Sequence, residues 1–161
     1  MNGQTAYSDA AIELIADALQ SGHPVKIRGH GASMIPTIWP GDVLTIRSVT
    51  GGLPLVGEIV LTRGENGLRA HRVIAHRTLN DVTSIVTRGD ALGRDDSNIG
   101  LSAVLGTVIC RNDEPLYSPK SYRRRLFEKA LLRSRALQTI ALKLNALRNR
   151  YAWPLSSRQF A

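Results

Sequence analysis

The segment 31–42, Gly-Ala-Ser-Met-Ile-Pro-Thr-Ile-Trp-Pro-Gly-Asp, contains the residue best suited to chemistry, Ser33. Pro36 and Gly41 restrict the backbone downstream of this serine, and Asp42 begins a predicted strand. A rigid loop between strands can hold a serine hydroxyl as a nucleophile, with its own N–H directed at the reacting carbonyl. Taken alone, a serine in this setting is also typical of an ordinary turn. The segment therefore predicts a candidate nucleophile whose base must come from elsewhere in the chain.

Four short motifs within residues 25–110 resemble, in order and spacing, those of the signal peptidase I superfamily of serine peptidases. The pattern Ser-Met-x-Pro-Thr followed by Gly-Asp, at 33–42, resembles the nucleophile motif of signal peptidase I and of the autocleaving LexA-type repressors. Gly-Glu-Ile-Val-Leu at 57–61 is similar to the family's next strand. The motifs at 71–74 and 87–96 resemble the branch typified by the endoplasmic-reticulum signal peptidase, which uses histidine where bacterial members use lysine.

The resemblance implies a role for each matching residue. Ser33 would be the nucleophile and His71 its general base. Asp96 would orient the histidine, and Asp90 would be a second, supporting acid. The chemistry of serine and histidine is consistent with these roles, because a serine hydroxyl needs a base to become a nucleophile. Histidine, with an unperturbed pKa of about 6.5, can accept and return a proton near neutral pH. A carboxylate behind the imidazole fixes its tautomer and stabilises the imidazolium.

Gly31, Met34 and Pro36 are the residues expected to border the oxyanion hole and the bound substrate. Signal peptidases commonly place a hydroxyl side chain two residues before the nucleophile, whereas this chain has Gly31 there, as LexA-type relatives do. The hole would then depend on backbone N–H groups, chiefly that of Ser33. Loss of one donor costs about 10²–10³ in rate in other hydrolases, which favours a slow, specialised or partner-dependent enzyme.

Each of these residues also has a purely structural interpretation. His71 could be an ordinary strand histidine, and His76 is the nearest rival base, although strict strand alternation would turn it to the opposite face. Asp90 could simply shape a turn, and Asp95 and Asp96 could both be loop carboxylates. No Cys or His pair has the spacing of metal ligands, so we expect neither a metal ion nor another cofactor.

Many short strands with close turns must position these residues. Turn sequences such as Pro-Gly-Asp and Asn-Asp separate runs that are rich in β-branched residues. The pattern favours a mainly β fold, a small antiparallel β domain over residues 25–115, which the resemblance assigns to the signal peptidase/LexA type. The predicted strands lie at 25–28, 43–46, 58–62, 71–74, 83–87 and 105–110.

Helices are predicted on both sides of this domain. Residues 1–24 contain an amphipathic helix that Ser8 or Asp9 can cap, and residues 116–161 contain a basic helix, from about 120 to 150, and a tail. The chain carries a net charge of +8, but residues 120–150 hold 10 Lys/Arg against one acid, whereas residues 1–119 hold 10 Lys/Arg against 12 acids. The basic character therefore belongs to the C-terminal helix.

Three roles stay open for the basic helix: it could lie on an anionic membrane surface, cover an apolar face of the β domain, or bind a protein partner. Nucleic-acid binding as the main role is disfavoured, because apolar residues occupy nearly half of the helix and no helix-turn-helix precedes residue 25. The single Cys110 leaves no internal disulfide to form and is compatible with a reducing compartment.

The sequence as a whole favours a serine endopeptidase that processes a dedicated peptide or protein substrate, and the resemblance implies small residues before the cleaved bond. No run of about 18 apolar residues is present, and the acidic N-terminal stretch is unlike a secretory signal peptide. We therefore expect a cytoplasmic protein, and a peripheral location at the membrane is the alternative. The alternatives are a non-catalytic interaction module, or nucleic-acid or anionic-membrane binding through the basic helix.

Overall fold

The computed structural model describes residues 7–49, 52–64 and 67–116, together with Lys143. This part of the chain is mainly antiparallel β with one N-terminal helix, which confirms the expectation of a mainly β, antiparallel fold preceded by a helix. The predicted basic helix over about 120–150 lies outside the described residues except at Lys143, and so does the predicted tail.

The described elements follow each other with short connections, as the turn residues predict. They are α1 Asp9–Gln20, β1 Val25–Arg28, β2 Val43–Arg47, β3 Ile59–Gly64, β4 Gly67–Leu79, β5 Val82–Arg88, β6 Ile99–Gly100, a 3-10 turn at Leu101–Ala103, β7 Val104–Arg111 and β8 Glu114–Pro115.

The strands form a single sheet in the order β1-β2-β7-β3-β4-β5-β6, and β8 pairs with β7. All described pairings are antiparallel. β7, which comes late in the chain, lies between β2 and β3, so the first two strands are joined to the rest of the sheet only through it. This order brings the loop after β1 and the start of β4 to the same cavity.

The hydrophobic core lies on both faces of β3. Ile59 and Leu61 belong to the larger cluster, whereas Val60, between them, packs with Val73 and Ile85 in a second one. This division follows from strand alternation, because successive side chains point to opposite faces of a sheet. The larger cluster also contains Ile15, Leu19, Ile27, Met34, Ile38, Leu44, Ile46 and Val108.

α1 covers one side of the larger cluster. Ser8 is its N-cap, and the Ser8 side chain accepts a hydrogen bond from the Ala11 N–H at 3.3 Å. Its apolar face is buried, and Glu13, on the polar face, forms an exposed ion pair with Arg63 of β3. Among the described helices, none is long and apolar enough to cross a membrane.

Candidate active site

Ser33 lies in the loop that joins β1 to β2. Two backbone hydrogen bonds close the base of this loop, from the Gly29 N–H to the Asp42 carbonyl and from the Gly41 N–H to the Gly29 carbonyl, both at 2.8 Å. Gly31 has a φ of +80°, a left-handed conformation that glycine adopts without steric cost. Ser33 is half-buried, because neighbouring apolar side chains anchor its loop in the interior. These are Met34, Ile35 and Ile38.

His71 lies in the first half of β4, where it pairs with Val60 of β3 and is only 3% exposed. Its Nε2 lies 3.1 Å from the Oγ of Ser33, although 38 positions separate the two residues in sequence. This distance is within hydrogen-bonding reach, as required of a serine and its base.

Asp96 completes a chain of hydrogen bonds behind the imidazole. Its Oδ2 lies 2.5 Å from the Nδ1 of His71 and accepts a second hydrogen bond from the Thr87 hydroxyl at 2.6 Å. The backbone N–H of Asp96 also donates to the carbonyl of Thr87 at 2.8 Å. Because Thr87 is fully buried at the end of β5, it holds both the carboxylate and the backbone of Asp96. We call Ser33, His71, Asp96 and Thr87 the Ser33 cluster.

The surroundings of Asp96 keep it ionised. Burial raises the pKa of its carboxyl group. Hydrogen bonds from His71 and Thr87 lower this pKa, as do the positive charge of Arg69 and that of His71 in its protonated form, and the net pKa lies below the usual value for aspartate. An ionised carboxylate only accepts hydrogen bonds, so the Nδ1 of His71 must donate to Asp96. In the neutral imidazole, Nε2 is then free to accept the hydroxyl proton of Ser33.

Asp90 belongs to a different cluster. Its two carboxylate oxygens accept hydrogen bonds from the Nε and Nη2 of Arg72 at 2.8 and 2.6 Å, and Oδ2 also accepts from the hydroxyl of Thr37 at 2.5 Å. Arg72 donates further to the carbonyl of Gly57 at 2.7 Å. We call Arg72, Asp90 and Thr37 the Arg72 cluster. It links the loop that contains Ser33 to β4 and to the segment after β5, and among the described hydrogen bonds none joins Asp90 to Ser33 or His71.

Gly89 lies where the two clusters meet. A Cβ atom at this position would lie 2.7 Å from the carbonyl oxygen of Ser33 and 3.0 Å from the Nε2 of His71. Real Cβ atoms rarely approach a backbone oxygen so closely, so Ser33 and His71 can approach each other as they do only beside a residue without a side chain. The glycine therefore supports the close approach of Ser33 and His71.

The backbone of Ser33 is held on one side and free on the other. Its carbonyl accepts a hydrogen bond from the N–H of Ala91 at 2.8 Å. Its own N–H has no acceptor within the part of the chain that the structure describes. Gly31, two residues before, has no side-chain hydroxyl group that could donate a hydrogen bond beside Ser33.

A cavity of about 390 Å³ lies over the Ser33 cluster, and Ser33, His71 and Asp96 line it. Gly31 and Met34, which were expected to border the oxyanion hole and the bound substrate, also line this cavity. Pro36 does not belong to its lining, and it is joined to Ile35 by a cis peptide bond. The remaining lining comes mostly from the end of β1, the loop after it and the start of β4.

The rival base, His76, is engaged elsewhere, with its Nε2 2.7 Å from the carbonyl of Pro54. The argument against His76 assumed regular strand alternation between His71 and His76, and this assumption was wrong. The pairing of β4 with β5 shifts between Val73 and Ala75, so the strand does not alternate regularly over this stretch. Asp95 forms an exposed pair with Arg88 rather than with a histidine. Within the described residues, no group of three or more His, Cys, Asp or Glu side chains could hold a metal ion.

Three side chains at the site had no role in the sequence analysis: Thr87, Arg72 and Arg69. Thr87 and Arg72 occur within the quoted motifs, but the motifs do not indicate which residues their side chains contact. Thr87 reaches Asp96 because of the turn that follows β5. Arg69, two residues before His71 on β4, lies 3.5 Å from the Oδ1 of Asp96. Strand alternation could have predicted that Arg69 and His71 share a face.

Comparison of the chain with models of protein families, with curated proteins and with solved structures finds no match.

Proposed function

We propose that this protein is a serine endopeptidase of the signal peptidase I-like superfamily that cleaves a peptide or protein substrate. Ser33 acts as the nucleophile, His71 as the general base and Asp96 as the residue that orients the histidine. The observation that carries the proposal is the continuous hydrogen-bonded chain from Ser33 Oγ to His71 Nε2, at 3.1 Å, and from His71 Nδ1 to Asp96 Oδ2, at 2.5 Å. This series of hydrogen bonds has the arrangement of a serine peptidase triad.

The first half of the reaction forms an acyl-enzyme. The Oγ of Ser33 attacks the carbonyl carbon of the scissile amide while the Nε2 of His71 takes the hydroxyl proton. Asp96, ionised and bonded to Nδ1, stabilises the imidazolium that results. His71 then gives its proton to the leaving amine as the C–N bond breaks, which leaves an ester between Ser33 and the acyl part of the substrate.

The second half returns the enzyme to its initial state. A water molecule attacks the ester carbonyl, and the Nε2 of His71 accepts one of its protons. Collapse of the tetrahedral intermediate breaks the bond to Ser33 Oγ, which regains its proton from His71. The products are a carboxylic acid and an amine, so no cofactor is consumed.

The N–H of Ser33 is the candidate donor for the oxyanion of both tetrahedral intermediates, since it has no acceptor within the described chain. A hole that depends on backbone donors fits a slow or narrowly specific enzyme, as the glycine at position 31 also indicates.

The cavity supports an extended peptide as the substrate. The end of β1 lines it, and β1 pairs only with β2 in the described residues, so an extended peptide would add to this edge through backbone hydrogen bonds. Apolar side chains such as Ile27 and Leu61 line its interior, where an uncharged substrate side chain would be buried. The family resemblance implies a small residue just before the cleaved bond.

The proposal includes the finer fold assignment, a β domain of the signal peptidase/LexA type, and the cytoplasmic location expected from the sequence. Residues 120–150 would then provide contact with a protein partner or an anionic membrane surface, because they carry 10 Lys/Arg and one acid.

A fluorophosphonate probe tests the nucleophile directly. We expect covalent labelling of the wild-type protein and of Ser102→Ala, which removes an exposed hydroxyl elsewhere, but not of Ser33→Ala. The same three proteins should be incubated with a peptide mixture, and new termini identified by mass spectrometry. New termini should appear with the wild type and Ser102→Ala only.

Equal labelling of wild type and Ser33→Ala would contradict the assignment of the nucleophile. Absence of labelling and of new termini with every protein would favour the main alternative, a non-catalytic interaction module that has this fold.

A further inference from the structure

The charged residues that line the cavity are strongly unbalanced. Three arginines contribute to the lining, Arg28, Arg69 and Arg94, against a single carboxylate, Asp96. That carboxylate is already bonded to His71 and Thr87. The other acid beside it in sequence pairs with Arg88 and does not line the cavity. The cavity therefore has an excess of positive charge that the described chain leaves uncompensated.

The three arginines retain free N–H groups. Arg94 is exposed, and the described part of the chain gives it no hydrogen-bond or ion-pair partner. Arg69 reaches the Oδ1 of Asp96 only at 3.5 Å, and its side chain is 47% exposed. Arg28 uses its Nη1 to donate to the carbonyl of Gly41. Since a guanidinium carries five N–H donors, each of the three can still bind an anionic group.

The position of these arginines indicates which anion they would meet. Arg69 lies two residues before His71, the proposed base. Arg94 lies two residues before Asp96, the acid proposed to orient that base. An anionic group bound by them would thus enter together with the reacting part of the substrate. The interior of the same cavity is apolar, with residues such as Ile27, Met34 and Leu68. A peptide with a buried uncharged side chain and a nearby carboxylate matches both features.

We infer that the cavity selects peptides that carry an acidic side chain, Asp or Glu, close to the cleaved bond, through Arg94 and Arg69. This inference rests on the proposed function, because it names the substrate class of the same site. It goes further in one respect, since recognition of small uncharged residues alone would leave the free N–H groups of Arg69 and Arg94 without a function in binding.

Binding to the inactive Ser33→Ala protein tests the inference. Two pools of nonapeptides, blocked at both ends so that terminal charges cannot contribute, would have the same uncharged random composition. One pool carries Glu at the central position, and the other carries Gln. We expect the immobilised protein to retain about threefold to tenfold more of the Glu pool at low ionic strength. At about 1 M salt, where the Debye length is about 3 Å, the two pools should be retained nearly equally.

Arginine variants in the Ser33→Ala background identify the residues responsible. Arg94→Gln and Arg69→Gln should each reduce the preference for the Glu pool, and the double variant should remove it. Arg77→Gln is the matched control, because Arg77 is an exposed arginine on the same strand as Arg69 but does not line the cavity. It should retain the preference.

Equal retention of the two pools, retention of neither, or the same loss of preference in Arg77→Gln would overturn the inference. Its failure is distinguishable from failure of the proposed function, which is read from covalent labelling of Ser33. Labelling without a preference for Glu would contradict only the acidic substrate class. A preference for Glu without labelling would leave a peptide-binding site and contradict the peptidase.

Discussion

The Ser33 cluster and the Arg72 cluster are two polar networks that start from neighbouring residues of β4. In each of them, a residue of this strand binds an aspartate that lies after β5, and this aspartate also accepts a hydrogen bond from a threonine. Because successive residues of a strand point to opposite faces, His71 and Arg72 can serve two separate networks. The chemical components of the two clusters are thus similar.

The clusters differ in how they end. Both oxygens of Asp90 are engaged by Arg72, and its side chain is 3% exposed, so this network is closed. The other network ends at the hydroxyl of Ser33, which lines a cavity, and the side chain of its aspartate is 13% exposed. A buried polar network that is satisfied internally stabilises a fold, whereas chemistry requires a network with one end open to a substrate. Under the proposed function, this difference gives Asp96 a part in the chemistry and Asp90 a structural part.

The largest expected effect comes from Asp96→Asn. The amide would no longer be an acceptor-only partner of Nδ1, so the imidazole could adopt the wrong tautomer. In a serine peptidase triad this change lowers the rate by about 10⁴, and we expect a similar loss in the rate at which Ser33 is labelled. The free energy of unfolding should fall by only about 1–2 kcal/mol.

Asp95→Asn is the matched control, because Asp95 is the adjacent acid and pairs with an exposed arginine. It should change neither the labelling rate nor the unfolding free energy appreciably. A comparable loss of rate in Asp95→Asn, or no loss in Asp96→Asn, would remove the distinction between the open and the closed network.

Arg72→Met should have the opposite profile. It leaves the carboxylate of Asp90 buried without its cation, and breaking a buried ion pair in this way costs about 3–5 kcal/mol of stability. Measured by urea unfolding, the loss should far exceed that in Arg77→Met, since Arg77 is exposed on the same strand. Well below the unfolding midpoint, the folded fraction should label within about tenfold of the wild-type rate. A stability loss below about 1 kcal/mol would show that the closed network is not structural.

Gly89→Ala tests the contact between the two clusters and should have an intermediate effect. The new methyl group would displace the carbonyl of Ser33 or the ring of His71, from which it would be separated by 2.7 and 3.0 Å. A misplacement of about 1 Å can reduce a rate by about 10²-fold, so we expect labelling to slow by about 10–100-fold. Overpacking should also cost about 1–3 kcal/mol of stability.

Gly93→Ala is the control for this variant, because a Cβ at position 93 would meet no atom within 4 Å. Its labelling rate should equal that of the wild type. If Gly89→Ala also labelled at the wild-type rate, the close packing beside the nucleophile would have no bearing on its reactivity.

The sequence predicted the short strands well where apolar and polar residues alternate. β1 has the predicted bounds, Val25–Arg28, whereas β4 was predicted only at 71–74 and extends over Gly67–Leu79. Its second half is exposed and polar, so no hydrophobic alternation marks it. β6 and β8 have two residues each, which is too short for any periodic pattern.

The site residues were predicted from motifs, but their contacts depend on the topology of the sheet. Ser33 and His71 approach each other in a sheet in which β7, a strand from late in the chain, lies between β2 and β3. The bond from Thr87 to Asp96 requires the turn that follows β5. Neither feature is written in a local pattern, because local periodicity gives the face of a strand and not its neighbours.

The smallest expected effect is a difference between the wild type and Asp96→Asn in how the free energy of unfolding depends on pH. Burial raises the pKa of Asp96, but the hydrogen bonds from His71 and Thr87, together with the charge interactions with His71 and Arg69, lower it below the usual value in the folded protein. A group with a lowered pKa stabilises the fold fully above its unfolded-state pKa, about 3.9 for aspartate, and loses this contribution as the pH falls through the folded-state pKa. The free energy of unfolding of the wild type should therefore exceed that of Asp96→Asn by a constant amount above about pH 5, and the difference should shrink below about pH 4. Urea unfolding from about pH 6 to pH 3 measures it, and a difference that grew on acidification would mean that the carboxylate is held less firmly in the folded protein than in the unfolded chain.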